Sequence, residues 1–147
     1  MLTRLAIGLF LLAASAGGAA AEQMCGDPPI PPAIPTASEM ASKPAADAAA
    51  SKHSAFEEIR RWQGTLKSYR DCQIATGDTD KREISEAQRA SKPDPDKIKK
   101  LQQEIDDANH AYDSSVDEEE RTVNEFHAAS VAYCARSDVD RTNCPKS

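Results

Sequence analysis

The sequence has few aromatic residues, few glycines and none of the motifs that usually indicate catalysis. Its 147 residues include 1 Trp, 3 Tyr, 3 Phe and 6 Gly. It has no glycine-rich loop that would hold phosphates, and its widely spaced cysteines form neither a zinc ligand set nor a Cys-x-x-Cys redox pair. Ser114 and Ser115 lack the histidine and acid partners of a nucleophilic site. We therefore expect no enzyme and no cofactor.

Long apolar runs are also missing, except at the N-terminus. Arg4 precedes an apolar run from Leu5 to Ala14, and small residues follow. This is the order of regions in a secretory signal peptide. The run of about ten residues is half of what a membrane-spanning helix needs. Because Ala19-Ala20-Ala21 fits a cleavage site, we predict a signal peptide at 1–21 and a periplasmic or secreted chain without a membrane span.

The chain carries no excess of positive charge. Lys and Arg number 18 against 24 Asp and Glu, for a net charge of −6. The predicted signal peptide removes one cation, Arg4, which leaves 17 − 24 = −7. Nucleic acids and anionic lipids are bound mainly through cation–phosphate contacts. We therefore expect neither as a partner, and the expected partner is an unidentified protein of the periplasm or cell envelope.

All the cysteines lie beyond the predicted cleavage site, at Cys25, Cys72, Cys134 and Cys144. An even number in an exported chain predicts two disulfides. The residues at 22–24, Glu-Gln-Met, are polar or bulky, whereas small residues precede a lipidated cysteine. We therefore expect Cys25 to form a disulfide and to carry no lipid.

Residues 22–44 form an arm that is rich in proline and alanine. Five prolines lie between Cys25 and Pro35, and each fixes φ and removes a backbone donor. The composition favours an extended polyproline II arm, and a disordered linker is the alternative.

Two long helices are predicted in the stretch 45–136. The first runs from Ala45 to about Ser91; Leu66 and Ile84 lie 18 residues apart, which is five turns and places them on one face. A single helix, with or without a kink at Gly77, is therefore favoured, and two helices divided at Gly77 are the alternative. The sequence "SKPDPDK" (91–97) ends it, with Asp94 as the cap of the next helix and Pro95 at its first position.

The second helix is predicted to reach about Arg136. Apolar residues recur in it every 11 residues, at Leu101, Tyr112, Val123 and Cys134. An 11-residue repeat indicates a nearly straight helix with little supercoil. The alternative is a break at "SVDE" (115–118), which matches a capping box.

The two helices predict an all-α fold: a long antiparallel helical hairpin of the coiled-coil type, followed by a tail at 137–147. Facing residues have numbers that sum to about 188, twice the number of the turn at 94. The predicted pairs are Ile84 with Leu101 and Ile105, Leu66 with Val123, Trp62 with Phe126, and Phe56 with Val131. A strip of Trp62, Tyr69, Phe126 and Tyr133 is either core or docking surface, and core is favoured.

Four cysteines allow three connectivities. In an unbroken hairpin Cys72 and Cys134 differ in height by roughly 27 Å, and a disulfide needs Cα atoms within about 7 Å. The favoured set is Cys25–Cys72 with Cys134–Cys144, and Cys72–Cys144 with Cys25–Cys134 is second. The favoured set attaches the arm to the hairpin as a third layer. A core this thin needs such staples or a partner subunit, for example in a homodimer.

The candidate metal ligands are sparse. Asp107-x-x-His110 places an acid and an imidazole one turn apart, with Asp113 nearby, but the second such pair would be Asn124-x-x-His127 and lacks the acid. Di-metal helical bundles use Glu-x-x-His twice. The remaining histidine is His53. The acids of "DEEE" (117–120) suit the first turn of a capped helix. No metal site is predicted.

Three stretches resemble a family of small, uncharacterised secreted helical proteins of Gram-negative bacteria: "CGDPPIPP", "YRDC" (69–72) and "YDSSVDEEERTVNEF" (112–126). Members combine a Cys-Gly-Pro-rich arm with a Tyr-x-x-Cys helix and a Tyr-x-Ser-Val-Asp-Glu segment. The resemblance implies a periplasmic helical architecture. With the absence of catalytic motifs, it predicts a non-catalytic cell-envelope protein that acts through protein–protein contacts.

A second resemblance involves "RRWQGTLKSYRDC" (60–72), which is similar to the Gln-Arg-x-Trp…Arg-Asp-x-x-Cys segment of small, cysteine-rich periplasmic lysozyme inhibitors. This resemblance implies the alternative function, inhibition of a cell-wall hydrolase.

Overall fold

The computed structural model describes residues 25–142 and Cys144. Three helices form most of this part of the chain. They are α1 (Ala37–Ser42), α2 (Ala45–Arg89) and α3 (Pro95–Cys134). The described residues contain no strand. The two long helices pack against each other as an antiparallel hairpin, so the predicted all-α hairpin is confirmed. The predicted signal peptide, 1–21, lies outside the described residues.

Both long helices are continuous. The helix α2 passes through Gly77 and α3 passes through Ser115, so neither alternative break is present. Ser115 does not cap a helix, and its hydroxyl instead donates to the carbonyl oxygen of Tyr112 at 2.6 Å. The turn is built as predicted, because Asp94 Oδ1 accepts the backbone N–H groups of Asp96 and Lys97 at 3.1 Å each.

The buried side chains follow a seven-residue repeat rather than the predicted 11-residue spacing. In α2 the buried positions alternate in steps of four and three: Ala55, Ile59, Trp62, Leu66, Tyr69, Gln73, Thr76 and Asp80. The same steps connect the α3 positions, with Tyr112, Glu119 and Phe126 partly buried among the fully buried Leu101, Ile105, Ala108, Ser115, Thr122, Ala129 and Tyr133. Alternating steps of four and three are the coiled-coil pattern. The polar side chains at several of these positions hide the repeat in the sequence.

The predicted facing pairs are shifted. Phe56 contacts Phe126, with ring centroids 6.2 Å apart, and Val131 is 51% exposed. Val123 was expected opposite Leu66 but is 41% exposed. Contacts across the hairpin join residues whose numbers sum to 182 for Phe56–Phe126 and to 185 for Arg70–Ser115. The sum is lower than 188 because the turn is centred near residue 92, between Arg89 and Pro95.

The proline arm lies along the hairpin as a third layer, as predicted. Cys25 is disulfide-bonded to Cys72, and the indole N–H of Trp62 donates to the Pro29 carbonyl at 3.0 Å. Farther along, Ile34 packs against a buried cluster. Over residues 29–36 the exposed positions recur every third residue, at Ile30, Ala33 and Thr36, which is the period of polyproline II.

The arm is extended only as far as Thr36, whereas the extended segment was expected to span 22–44. Thr36 Oγ1 accepts the N–H of Glu39 at 3.2 Å, and Glu39 Oε2 accepts the N–H of Thr36 at 2.8 Å. This capping box starts the short helix α1. The helix places Met40, which is fully buried, against Ala48 and Tyr133.

The C-terminal tail closes the open end of the hairpin. Cys144 is disulfide-bonded to Cys134, so the favoured pairing of all four cysteines is present. Arg136 Nη1 donates to the carbonyl oxygens of Met40 and Lys43 at 2.9 and 2.6 Å. The tail therefore holds the end of α1 against the end of α3.

Two observations bear on attachment to a membrane. The sulfur of Cys25 is bonded to that of Cys72, so it cannot also form the thioether of a lipid anchor. Within residues 25–142, no helix has both the length and the apolar character needed to cross a bilayer.

Candidate binding surfaces

The predicted metal-ligand candidates are not brought together. His110 and Asp113 are exposed, and Asp107 Oδ1 accepts a hydrogen bond from Gln103 Nε2 of the same helix at 2.9 Å. His53 and His127 are exposed elsewhere on the hairpin. Among the described residues, no three His, Cys, Asp or Glu side chains are grouped so that they would hold a metal ion.

The acidic cluster at 117–120 lies in the middle of α3 and divides between two roles. Glu118 forms an ion pair with Arg121 on the surface. Glu119 instead joins the two helices: its carboxylate accepts hydrogen bonds from Arg70 Nη1 at 2.5 Å and from Gln63 Nε2 at 2.7 Å. The hydrogen bond from Arg70 lowers the pKa of Glu119. Arg70 also donates to the hydroxyl and the carbonyl oxygen of Ser115.

The aromatic strip is mostly core. Trp62, Tyr69 and Tyr133 are buried, as favoured from the sequence. Phe126 is partly buried and contacts Phe56, which is 43% exposed. Of the four residues of the strip, only Phe126 is not buried.

A groove of about 640 Å³ runs between the arm and α3. We call it the arm groove. Its first wall is the apolar arm segment 28–31, and Leu66 and Tyr69 of α2 also line it. The opposite wall is polar and is formed by α3: Asp107, His110, Ala111, Ser114, Ser115, Glu118 and Arg121.

Ile30 is the most exposed large apolar side chain of the described residues, at 88%. It belongs to the arm wall of the groove. The backbone of the arm holds Ile30 in this exposed position. The Cys25–Cys72 disulfide attaches the arm before Ile30, and the hydrogen bond from Trp62 to the Pro29 carbonyl attaches it next to Ile30. A surface that is rigid before binding loses less conformational entropy when a partner docks.

A second apolar surface lies on the other side of the hairpin. The arm contacts Trp62 and Cys72. Gln63 and Arg70 each follow a core residue of α2 by one position, and their side chains therefore point to the side away from the arm. We call this side the outer face. Its apolar members are Phe56 and Ile74 of α2 and Tyr112, Val116, Val123 and Phe126 of α3. Arg60 stacks over Phe56 and Arg70 over Tyr112, each 5.9 Å from the ring centroid.

The core of the hairpin contains two polar side chains whose buried atoms have no hydrogen-bond partner. Gln73 is 2% exposed, and neither of its side-chain polar atoms has a hydrogen-bond partner. Asp80 Oδ2 is likewise buried without a partner. Burial raises the pKa of Asp80, and the nearby carboxylates of Glu104 and Glu83 raise it further.

The sequence did not identify Ile30 or the arm groove. The available signal was the three-residue period of polyproline II, which places Asp27, Ile30 and Ala33 on one side of the arm. Which side faces water depends on where the arm is attached, and only the positions of Cys72 and Trp62 determine this.

No protein-family model, curated protein or solved structure matches this chain. The resemblances to small secreted helical proteins and to lysozyme inhibitors therefore stay predictions.

Proposed function

We propose that this protein is a non-catalytic protein of the cell envelope that acts by binding another protein in the arm groove. One observation carries the proposal: Ile30 is held 88% exposed at the groove by an arm that a disulfide fixes to the hairpin. Covering an isoleucine stabilises a complex by about 1.5–3 kcal/mol. A fixed apolar side chain beside a preformed groove is suited to docking.

Export supports the envelope as the place of action. Two disulfides indicate an oxidising environment outside the cytoplasm. The order of basic, apolar and small residues in 1–21 also predicts a secretory signal peptide. Intact-mass analysis of the exported protein tests this step, with a chain that begins at Glu22 and carries no lipid as the expected result. An unprocessed chain, or a lipid mass on Cys25, contradicts it.

The groove indicates the chemistry of the partner. The arm wall is apolar, whereas the α3 wall contains the carboxylates of Asp107 and Glu118. Arg121 neutralises Glu118 in part, through their ion pair. A partner segment with an apolar side chain for Ile30 and a basic side chain for Asp107 fits both walls.

Affinity capture with matched variants tests the proposal. The wild type, Ile30→Asp and Val131→Asp are each used as bait in an envelope extract of the source organism, with disulfides intact. Val131 is a matched control because it is also an exposed apolar side chain but belongs to neither the arm groove nor the outer face. We expect a protein that the wild type and Val131→Asp retain and Ile30→Asp loses.

Equal capture by all three baits contradicts binding at the arm groove. If the protein that Ile30→Asp loses is a cell-wall hydrolase, its inhibition by the wild type would establish the alternative function. A catalytic turnover that disappears on mutation of one polar residue would refute the non-catalytic assignment.

A further inference from the structure

The outer face carries charge of opposite sign on its two borders. Along α2, three cations each follow a core position by one residue and form a basic border: Arg60, Lys67 and Lys81. Along α3, three acids follow core positions in the same way and form an acidic border: Asp106, Asp113 and Glu120. Between the borders lie the apolar side chains of the outer face, including the Phe56–Phe126 pair.

The two borders also match in height. Side-chain contacts between the two helices join residues whose numbers sum to 182 for Gln63–Glu119, 185 for Arg70–Ser115 and 189 for Arg70–Glu119. Lys81 with Asp106 and Lys67 with Glu120 both sum to 187, which lies within this range. A difference of two residues, as between 187 and 185 or 189, is about 3 Å along a helix. Each lysine of the basic border therefore has an acid at nearly its own height on the other helix.

This arrangement is complementary to itself. When two outer faces meet around a two-fold axis parallel to the helices, α2 of one copy lies against α3 of the other, and heights are preserved. The basic border of each copy then faces the acidic border of its partner. A two-fold axis across the helices would instead place like charges together, which costs free energy.

We propose that two copies of this chain pair through their outer faces, around an axis parallel to the helices, as a four-helix arrangement. Lys67 then meets the partner's Glu120 and Lys81 meets the partner's Asp106. The interface covers Phe56, Val123 and Phe126, and symmetry repeats every contact. The arm groove lies on the opposite side of each hairpin, so self-association leaves it open.

The border lysines are available for such contacts. Lys67 pairs with Asp71 and Lys81 with Asp78, but both pairs lie within one helix and are well exposed. Exposed pairs of this kind contribute little to stability. An acid from a second copy can therefore join or replace these partners at little cost.

Sedimentation equilibrium of the oxidised protein tests the proposal with three charge variants. Lys67→Glu/Lys81→Glu makes both borders acidic, and Asp106→Lys/Glu120→Lys makes both basic. We expect the wild type to dimerise and each double variant to raise the dissociation constant by about tenfold or more. The fourfold variant exchanges the two borders and should restore the dimer, as should a mixture of the two double variants.

The control is Arg61→Glu/Arg82→Glu. It makes the same change in net charge as Lys67→Glu/Lys81→Glu, but at exposed positions away from the outer face. We expect its dissociation constant to equal that of the wild type. Circular dichroism melts of every variant separate loss of pairing from loss of folding. The proposal is overturned if the wild type is a monomer. It is also overturned if the fourfold variant, which exchanges the two borders, fails to dimerise.

Discussion

The indole N–H of Trp62 donates to the backbone carbonyl of Pro29 at 3.0 Å. This hydrogen bond joins residues 33 positions apart in the chain and fixes the proline arm on the middle of α2. Prolines cannot donate backbone hydrogen bonds, so the arm is held by its carbonyl oxygens, its apolar contacts and its disulfide.

Replacing Trp62 with Phe tests this bond. The change keeps most of the buried apolar surface but removes the donor, so Pro29 loses its partner. We expect the free energy of unfolding to fall by about 1–3 kcal/mol. Urea denaturation followed by circular dichroism measures the change. Tyr69→Phe is a suitable control, and equal effects of the two substitutions would show that the indole N–H contributes nothing specific.

The two disulfides should differ in their contribution to stability. Cys25–Cys72 spans 47 positions of the chain and Cys134–Cys144 spans 10. Loop entropy predicts stabilisation of roughly 4 kcal/mol for the longer loop and roughly 2.7 kcal/mol for the shorter. Replacing each pair by serines and measuring urea unfolding compares them. A larger loss from the Cys134–Cys144 pair would contradict the view that the arm is chiefly held by its disulfide.

Asp80 should reduce stability near neutral pH. Because burial raises its pKa in the folded state, the folded protein binds more protons than the unfolded chain above about pH 3.9. Stability therefore falls as pH rises through the folded pKa. We expect Asp80→Asn to raise the melting temperature at pH 7 and to change it little near pH 4. The same gain at both pH values would exclude a charge effect.

Glu119 should have the opposite dependence on pH. The hydrogen bond from Arg70 lowers its pKa, so the folded protein releases this proton more readily than the unfolded chain. The stabilisation is present above the unfolded pKa, about 4.3 for Glu, and is lost as pH falls through the folded pKa.

Glu119→Gln should therefore lower the melting temperature at pH 7 and have a smaller effect at low pH. Glu125→Gln is the control, because Glu125 is an exposed glutamate of the same helix and is not part of the outer face. An effect of Glu119→Gln that does not depend on pH would contradict the role of its charge.

The sequence predicted the turn and the disulfides because local chemistry determines them. Pro93, Asp94 and Pro95 end one helix and begin the next whatever surrounds them. Chain length then limits which cysteines can meet, since Cys72 and Cys134 lie far apart in an unbroken hairpin.

The sequence predicted the buried side of α3 near the turn, at Leu101 and Ile105, but not in the middle of the helix. Val116 and Val123 look like core residues, but they lie one position beyond Ser115 and Thr122, which are buried in their place. Small polar side chains fit between closely packed helices when their hydroxyls bond to the backbone, as Thr122 does with Glu118. A pattern of apolar residues alone cannot show this exchange.

The central claim is that the proline arm is fixed along the hairpin and forms one wall of a binding groove. A tryptic peptide map without reduction tests it most directly, because cleavage at Arg70 and Lys81 isolates Cys72 in the peptide 71–81. The structure predicts that this peptide is linked to the one that contains Cys25, and that Cys134 is linked to Cys144. A Cys25–Cys134 link, a Cys72–Cys134 link, or a free Cys25 would contradict it.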